Sequence, residues 1–402
     1  MPKIRNQKGR KARQKARALK ATDPQVLELW VRAGGRCEFH GCNDYLLQDR
    51  LTTMRAKLAD IAHIVARSED GPRGRDPMPL AQRDNIENLF LACTKHHRTI
   101  DNKTLVKKYP KGVLVQYKQA HEERVRYVTG LGDEHATTVV RLIGNIRGNT
   151  VTISNEEIRE AVLKSSDRYP RYLGGEHHIE IDLSNLLEEG EAEYWVRGMT
   201  RIRDIVGRML GPAVQKGEIR HLSLFAFAHI PFLAYLGHAV GDKLPLDVYQ
   251  KHRTGSEGWN WPEKQRDQRF SYIRKQQGDD KSCVAVMLPL SGQIPLGQLP
   301  LEITNRFTIY SLEPEGAKPG RTLISSKSSL ERFRQTYSDL LRHIEANHPD
   351  ARAIHVFPAV PISAAVILGR DLLRNVSPSL IIYDKGATAF EKALEIDSTE
   401  AS

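Results

Sequence analysis

Three of the four cysteines of this chain lie in two short stretches, Cys37 and Cys42 in RCEFHGC and Cys93 in ACTKH, where His96 follows. Two close pairs separated by a long loop are the usual arrangement of a tetrahedral zinc site, each pair forming one jaw. The ion would staple a loop that has little core of its own. His40 has a workable spacing as a rival to Cys42, and Cys283, alone in the apolar run CVAVML, reads as core packing. Between the jaws, LADIAHIVA reads as a short apolar strand ending in His63. The loop SEDGPRGRDPMP is too rich in Gly, Pro and Asp for regular structure. In RDNIENLFLACTKHHRTID, Asp84 or Asn85 can cap a turn, and Asn88 precedes the apolar residues Leu89, Phe90 and Leu91. A helix then begins at the second jaw, with His97 directly after His96. Strand, loop, strand and helix make a ββα unit.

AHI, then NIENLFLAC, then CTKHH is similar to the HNH nuclease family of the ββα-metal fold. The resemblance covers only the N-terminal part of the chain. It implies that His63 is the general base, that Asn88 orients it, and that His97 holds a divalent metal, Mg²⁺, on the scissile phosphate. Physical chemistry supports these roles. Hydrolysing a phosphodiester near neutral pH needs a base of suitable pKa, and histidine titrates closest to that pH. A bound divalent cation offsets the charge that develops on the phosphoryl and leaving oxygens. Asn88 could fix the tautomer of His63 by accepting its other ring proton. Many HNH enzymes place an aspartate directly before the first histidine as a second metal ligand, whereas this chain has Ala62. Asp60 would point to the other strand face if the strand were regular. Asp101, one helical turn after His97, can share its face. Either is a candidate second ligand.

These residues need elements to hold them, and the chain of 402 residues is long enough for two or three domains with separate cores. Lys and Arg outnumber Asp and Glu by 60 to 49, a formal charge of +11, which favours a polyanionic partner such as double-stranded DNA. The first twenty residues contain no acidic group, so 1–25 reads as a solvated basic arm able to ride on phosphate. No apolar run approaches the ~20 residues of a membrane span. The basic N-terminus lacks the apolar stretch of a signal peptide, so a cytoplasmic protein with reduced thiols is expected. The expected organisation is arm 1–25, nuclease module 26–105, connector 106–150 with a helix and then strand and turn, and an α/β region 151–402.

Two parts of that region repeat one another: HLSLFAFAHIPFLAYLGHAVGDKLPLDVYQK and AIHVFPAVPISAAVILGRDLLRNVSPSLIIYDK. Each runs strand, proline, apolar helix, glycine, loop, strand and tyrosine. Phe227 precedes Pro231 as Phe357 precedes Pro361, Gly237 and Gly369 follow the helices, and Tyr249 and Tyr383 end the second strands. Two Rossmann-like halves are expected. Ligands of such sheets sit beyond the carboxyl ends of the strands, against helix N-termini. Phe357, Pro358, Pro361 and Ser363 take that place in one half, and Ala228, His229 and Pro231 in the other. Ser291 and Gly292 end a third strand, a small pair that lets a phosphate approach the backbone. The loop HRTGSEGWNWPEK offers Arg253, Trp259 and Trp261, which could stack on bases or pack. Tyr383 completes the candidate ligand set.

On FPAVPISAAVILGR, HIPFLAYLG and the GWNW loop, this region resembles the SAVED domain, a fusion of two CARF-like Rossmann halves that senses cyclic oligonucleotides. The expected fold is therefore multidomain α+β and α/β. Joined in this order, the domains resemble the HNH–SAVED effectors of bacterial cyclic-oligonucleotide anti-phage signalling (CBASS). The resemblance implies that a cyclic dinucleotide made after infection binds the SAVED domain. Binding then drives a homo-oligomer, dimer to tetramer, that cuts double-stranded DNA in abortive infection. Two other functions fit parts of the sequence: a restriction-type enzyme whose C-terminal region reads DNA, and a catalytically inactive zinc module that binds DNA under a small-molecule sensor.

Overall fold

The computed structural model describes residues 23–49, 51–56, 58–146, 148, 151–171, 179–186, 190–191, 193–252, 258–261, 267–373 and 376–399. Residues 1–22 of the basic arm and Arg253 lie outside the described residues. The chain divides into two compact units, 1–132 and 133–402.

The first unit opens with helix α1 (Asp23–Arg32) and contains an antiparallel strand pair, β1 (Ala59–His63) and β2 (Leu89–Cys93). Helix α2 (Thr94–Ile100) follows β2 directly, and α3 (Lys111–Thr129) closes the unit. An isolated pair of strands is barely stable in water, so this one depends on what covers it. Leu29 from α1, Ala33 from the turn after it, Ile100 from α2 and Leu114 from α3 supply that cover, packing into one core with the buried Leu89–Ala92. His121 of α3 places Nε2 2.9 Å from the carbonyl of Ala33, tying α3 to the end of α1.

The Gly/Pro/Asp-rich loop between the strands is irregular, as expected, but it is organised around Arg73. That residue has φ +59°, in the left-handed region that costs a non-glycine residue energy. Its buried guanidinium donates to the carbonyl of Ile64, to those of Ile100 (2.7 Å) and Tyr109 (3.4 Å), and to Asp101 Oδ1 (2.8 Å). One side chain thus satisfies several backbone acceptors that the loop leaves without ladder partners.

The second unit holds two sheets. In the first, β3 (Ala136–Ile143) pairs in parallel with β4 (Tyr169–Arg171) and β5 (Ile179–Asp182) on one side and β6 (Leu222–Phe227) on the other, and β7 (Leu246–Tyr249) extends it beyond β6. The second sheet contains β8 (Phe270–Gln276), β9 (Val284–Pro289), β10 (Thr308–Pro314), β11 (Ala353–Ala359), β12 (Ser379–Lys385) and β13 (Phe390–Ile396). Its spatial order is β13-β12-β11-β9-β10-β8, parallel in the middle with an antiparallel strand at each edge. Helices α4 (Asn155–Ser165), α5 (Tyr194–Ile205), α6 (Gly211–Gln215), α7 (Ile230–Val240), α8 (Leu301–Arg306), α9 (Lys327–Asn347) and α10 (Ile362–Arg370) connect these strands. The start of α4 is fixed by a capping box between Ser154 and Glu157.

The segment 106–150, expected to be a connector, is divided between the units. Its helix is α3, whose buried face belongs to the first core, and its strand is β3, an interior strand of the first sheet. The expected helix and strand are present; neither acts as a linker.

The two sequence repeats are β6-α7-β7 and β11-α10-β12, and α7 and α10 pack against each other. Gly237 and Gly369 lie within these helices rather than after them, at the point of contact. A Cβ on Gly237 would fall 1.9 Å from the carbonyl oxygen of Val366, and one on Gly369 would fall 1.9 Å from that of Ala234. The relation is reciprocal: each helix offers its glycine to the carbonyl three residues before the glycine of the other. The backbones approach closely because neither position has a side chain.

Candidate functional site

In the first unit, the turn around Cys37 and Cys42 meets the junction of β2 and α2. The Sγ atoms of Cys37, Cys42 and Cys93 and a ring nitrogen of His96 all lie within 4.8 Å of one another. His96 Nδ1 is 3.1 Å from Cys93 Sγ and 3.8 Å from Cys37 Sγ, and the Cys93 amide donates to Cys37 Sγ at 3.3 Å. Phe39 stacks on the His96 ring at 4.1 Å, which fixes its orientation. Burial pushes the Cys37 and Cys42 thiols up, and crowding by neighbouring thiols adds to this. Three soft thiols and an imidazole directed at one point are the donor set and spacing of a tetrahedral cation site. His40 is outside the cluster and stacks on Tyr117 instead.

Glu38, next to Cys37, is buried. Its Oε2 accepts from the Leu91 amide at 2.7 Å, and its Oε1 lies 3.5 Å from the equally buried Lys118 ammonium of α3. Burial pushes its carboxyl up to about 8, against the opposing pull of Lys118. This pair joins the first jaw to β2 and α3.

His63, at the end of β1, is half-buried and has its Nε2 2.9 Å from Asp84 Oδ1. The same oxygen accepts from Arg67 Nε at 2.6 Å. Asn88 does not touch His63 in this way, which corrects the role expected for it. The Asn88 side chain is buried, with Oδ1 accepting from the Val65 amide (2.9 Å) and Nδ2 donating to the carbonyls of Val65 (2.9 Å) and Arg83 (2.7 Å). The reason lies in the register. Leu89 is opposite His63, and the Ile64 amide bonds the Asn88 carbonyl, so the side chain of residue 88 reaches over the next peptide rather than back to the ring.

His97 sits between two carboxylates, with Nδ1 3.4 Å from Asp60 Oδ2 and Nε2 3.2 Å from Asp101 Oδ2. The hydrogen bond to Asp101 raises the His97 pKa, burial opposes this, and Asp60 adds to the rise. Burial pushes the Asp101 carboxyl up, but its hydrogen bonds with His97 and Arg73 outweigh that and hold it below the usual range. Both Asp60 and Asp101 are therefore within reach of His97. They face opposite ring nitrogens rather than one shared point. The donor types suit a hard divalent cation, which at this histidine competes with a proton for the same nitrogen.

In the second unit, a cavity of about 630 Å³ opens where the carboxyl ends of β6 and β7 meet those of β11 and β12. Among the expected ligand residues, Ala228, His229, Ser291 and Pro361 line it. Pro231, Gly292, Phe357, Pro358, Ser363 and Tyr383 are not in its lining. Phe357 is buried and stacks on Tyr383 at 4.3 Å, and the Tyr383 hydroxyl is 2.9 Å from His355 Nδ1. Ser363 lies behind the wall, donating to Gln250 Oε1 at 2.8 Å. The tryptophans are packing residues: Trp259 is buried against Phe225, and Trp261 packs beside His252. Neither offers a face for a base.

Lys251, Lys385, Arg321, Gln250, His252 and Asp384 also line the cavity and were missed. The signal was present. Each repeat continues past its tyrosine by two residues to a lysine, Tyr249-Gln250-Lys251 and Tyr383-Asp384-Lys385. The frame crosses between halves at both ends. His229, which caps α7 of the first half, has Nδ1 2.9 Å from Asp384 Oδ2 of the second, and Ser363 of the second half bonds Gln250 of the first. Lysine and arginine ammonium and guanidinium groups around a largely apolar cavity suit an anionic ligand with flat apolar parts. No helix among the described residues is long and apolar enough to cross a membrane.

Comparison with known proteins bears on this second unit. Residues 202–396 match the family model of SAVED, the SMODS-associated and fused to various effectors sensor domain. Among solved structures, the Acinetobacter baumannii Cap4 SAVED/CARF-domain containing receptor with the cyclic trinucleotide 2′3′3′-cAAA aligns at 14% identity, TM-score 0.43, over 70% of this chain and 56% of that one. The same receptor with 3′3′3′-cAAA aligns at 16% identity, TM-score 0.44, over 70% and 56%. The Moraxella osloensis Cap4 receptor aligns at 12% identity, TM-score 0.41, over 75% and 60%. This chain thus spans 56–60% of the length of those three chains. No curated protein matches. Over residues 202–396, the second unit of this chain is similar to a SAVED sensor domain.

Proposed function

We propose that the chain is a DNA endonuclease of the HNH type, with a structural zinc ion, whose activity is switched on by a cyclic oligonucleotide bound in the SAVED cavity. The observation that carries this reading is the arrangement of the first unit. A strand pair and helix clamped by a Cys₃His cluster present a histidine held by a carboxylate, His63, beside a helix that carries His97 between Asp60 and Asp101. A module that only bound DNA would need neither histidine arrangement.

In hydrolysis, His63 takes a proton from water, and the water oxygen forms a bond to phosphorus. The bond from phosphorus to the leaving oxygen breaks, and that oxygen takes a proton from solvent, giving a phosphate monoester and an alcohol. His97, with either Asp101 or Asp60 beside it, would hold a Mg²⁺, which bound there would offset charge on the phosphoryl and leaving oxygens. Lys251 and Lys385 would meet the phosphates of the cyclic nucleotide. A nuclease without a sequence-reading element needs a state in which it does not cut, and a ligand can populate the cutting state only by binding that state more tightly. Assembly of several copies would bring cutting centres to both strands of a duplex.

The test is cleavage of plasmid DNA by the purified chain with Mg²⁺, with and without a panel of cyclic di- and trinucleotides. Little cutting is expected until one of the panel is added, and that compound should also raise the melting temperature. His63→Ala should abolish cutting with zinc content unchanged. Strong cleavage without any cyclic nucleotide, or undiminished cleavage by His63→Ala, would overturn the reading.

A further inference from the structure

The contacts of His63 assign roles to individual atoms. We propose that Asp84 holds the His63 proton on Nε2, so that Nδ1 is the atom that accepts the proton of the attacking water. The proposal rests on the nuclease reading above. A carboxylate accepts hydrogen bonds and does not donate them, so the proton between His63 Nε2 and Asp84 Oδ1, 2.9 Å apart, belongs to the ring. A neutral imidazole with its proton on Nε2 has its lone pair on Nδ1.

The carboxylate is itself held in place. Arg67 donates from Nε to the same oxygen at 2.6 Å, and its terminal nitrogen pairs with that oxygen as well. The segment carrying Asp84 is fastened to the segment following His63. Arg83 donates to the Ala66 carbonyl at 2.6 Å, and Asn88 bonds both the amide and the carbonyl of Val65. Asn88 therefore sets the distance between the two segments, and Asp84 turns the ring. The orienting role expected of a single asparagine is divided between a buried residue that fixes the backbone and a carboxylate that fixes the tautomer. Asp84 is a positioning residue: it acts on the reaction through His63.

A surface ion pair between Arg67 and Asp84 with no bearing on the base would contribute little, and the experiment separates the two roles. Full-length wild type, Asp84→Ala and Asp84→Asn are compared with activating cyclic nucleotide and Mg²⁺, after melting temperature and zinc content establish that each is folded. Asp84→Ala should lower the single-turnover cleavage rate on the order of 10²-fold, with DNA affinity unchanged. Asp84→Asn should recover part of the loss, because its amide oxygen can accept from the same ring nitrogen. In ¹⁵N-histidine-labelled protein, with His63→Gln used to assign the signal, wild-type His63 should appear as the Nε2–H form, and Asp84→Ala should lose that preference. A wild-type His63 carrying its proton on Nδ1, or an Asp84→Ala variant that cuts at the wild-type rate, would overturn the proposal. If the wild type cuts under no condition, the nuclease reading fails, while the ¹⁵N spectra still report whether Asp84 sets the tautomer.

Discussion

The side chains of the first unit divide into those whose identity was legible in the sequence and those whose contacts were not. The jaws Cys37, Cys42, Cys93 and His96 could be read from spacing because a metal site needs its donors in close pairs, and the structure brings those four atoms together. His63, Asn88 and His97 stand out by their order in the chain, but order does not say what each touches. Asn88 was expected at the imidazole and is found on the backbone of Val65 and Arg83. Asp84 passed for the cap of a turn and is found at the imidazole. Both outcomes depend on strand register, which is set by packing across many residues. A consequence can be measured. Asn88→Ala leaves a buried amide and two carbonyls without a partner, and should lower stability by about 2–3 kcal/mol in a denaturant titration. Asn88→Asp should also destabilise, since a carboxylate cannot donate to the two carbonyls. His63→Ala, by contrast, should melt like the wild type.

At the scale of elements, strand–helix–strand repeats were legible because apolar runs bounded by proline and tyrosine recur in the same order. The conspicuous residues misled. Two tryptophans in GWNW suggested stacking on bases, yet Trp259 and Trp261 are buried within the protein. A flat apolar ring serves either purpose, and only tertiary packing decides between them. The plain lysines Lys251 and Lys385 line the cavity instead. Replacing both by alanine should weaken or abolish cyclic-nucleotide binding, measured calorimetrically, with the fold unchanged. Gly237 and Gly369 read as helix terminators because glycine commonly stands there. They are found within α7 and α10, where the helices touch. Gly237→Ala and Gly369→Ala should each lower the melting temperature of the second unit, even though alanine favours helix by about 1 kcal/mol, because a methyl group 1.9 Å from a backbone oxygen forces the helices apart. A melting temperature raised by either substitution would contradict the crossing.

The molecule as a whole comprises two units that hold themselves together differently. The first has a short strand pair and a Cys₃His cluster, and the second has two sheets with an extensive apolar core. Their boundary was not legible, because the helix and strand of 106–150 have ordinary patterns that do not reveal which core they join. The difference predicts two separate responses to a strong chelator. Removing the proposed zinc should melt the first unit, since a structural metal contributes its binding energy to folding, and leave the thermal transition of the second in place. A single unchanged transition would argue against a structural metal. The reciprocal crossing of α7 and α10 has a last consequence for the second unit. A dimer of identical subunits must repeat every residue about its twofold axis. Here the two copies of one design are joined in a single polypeptide, so each wall of the cavity has been free to change by itself. One side is finished with the neutral Gln250, held from behind by Ser363, the other with the acid and base Asp384 and His229. A symmetric frame thus encloses a chamber with a distinguishable left and right.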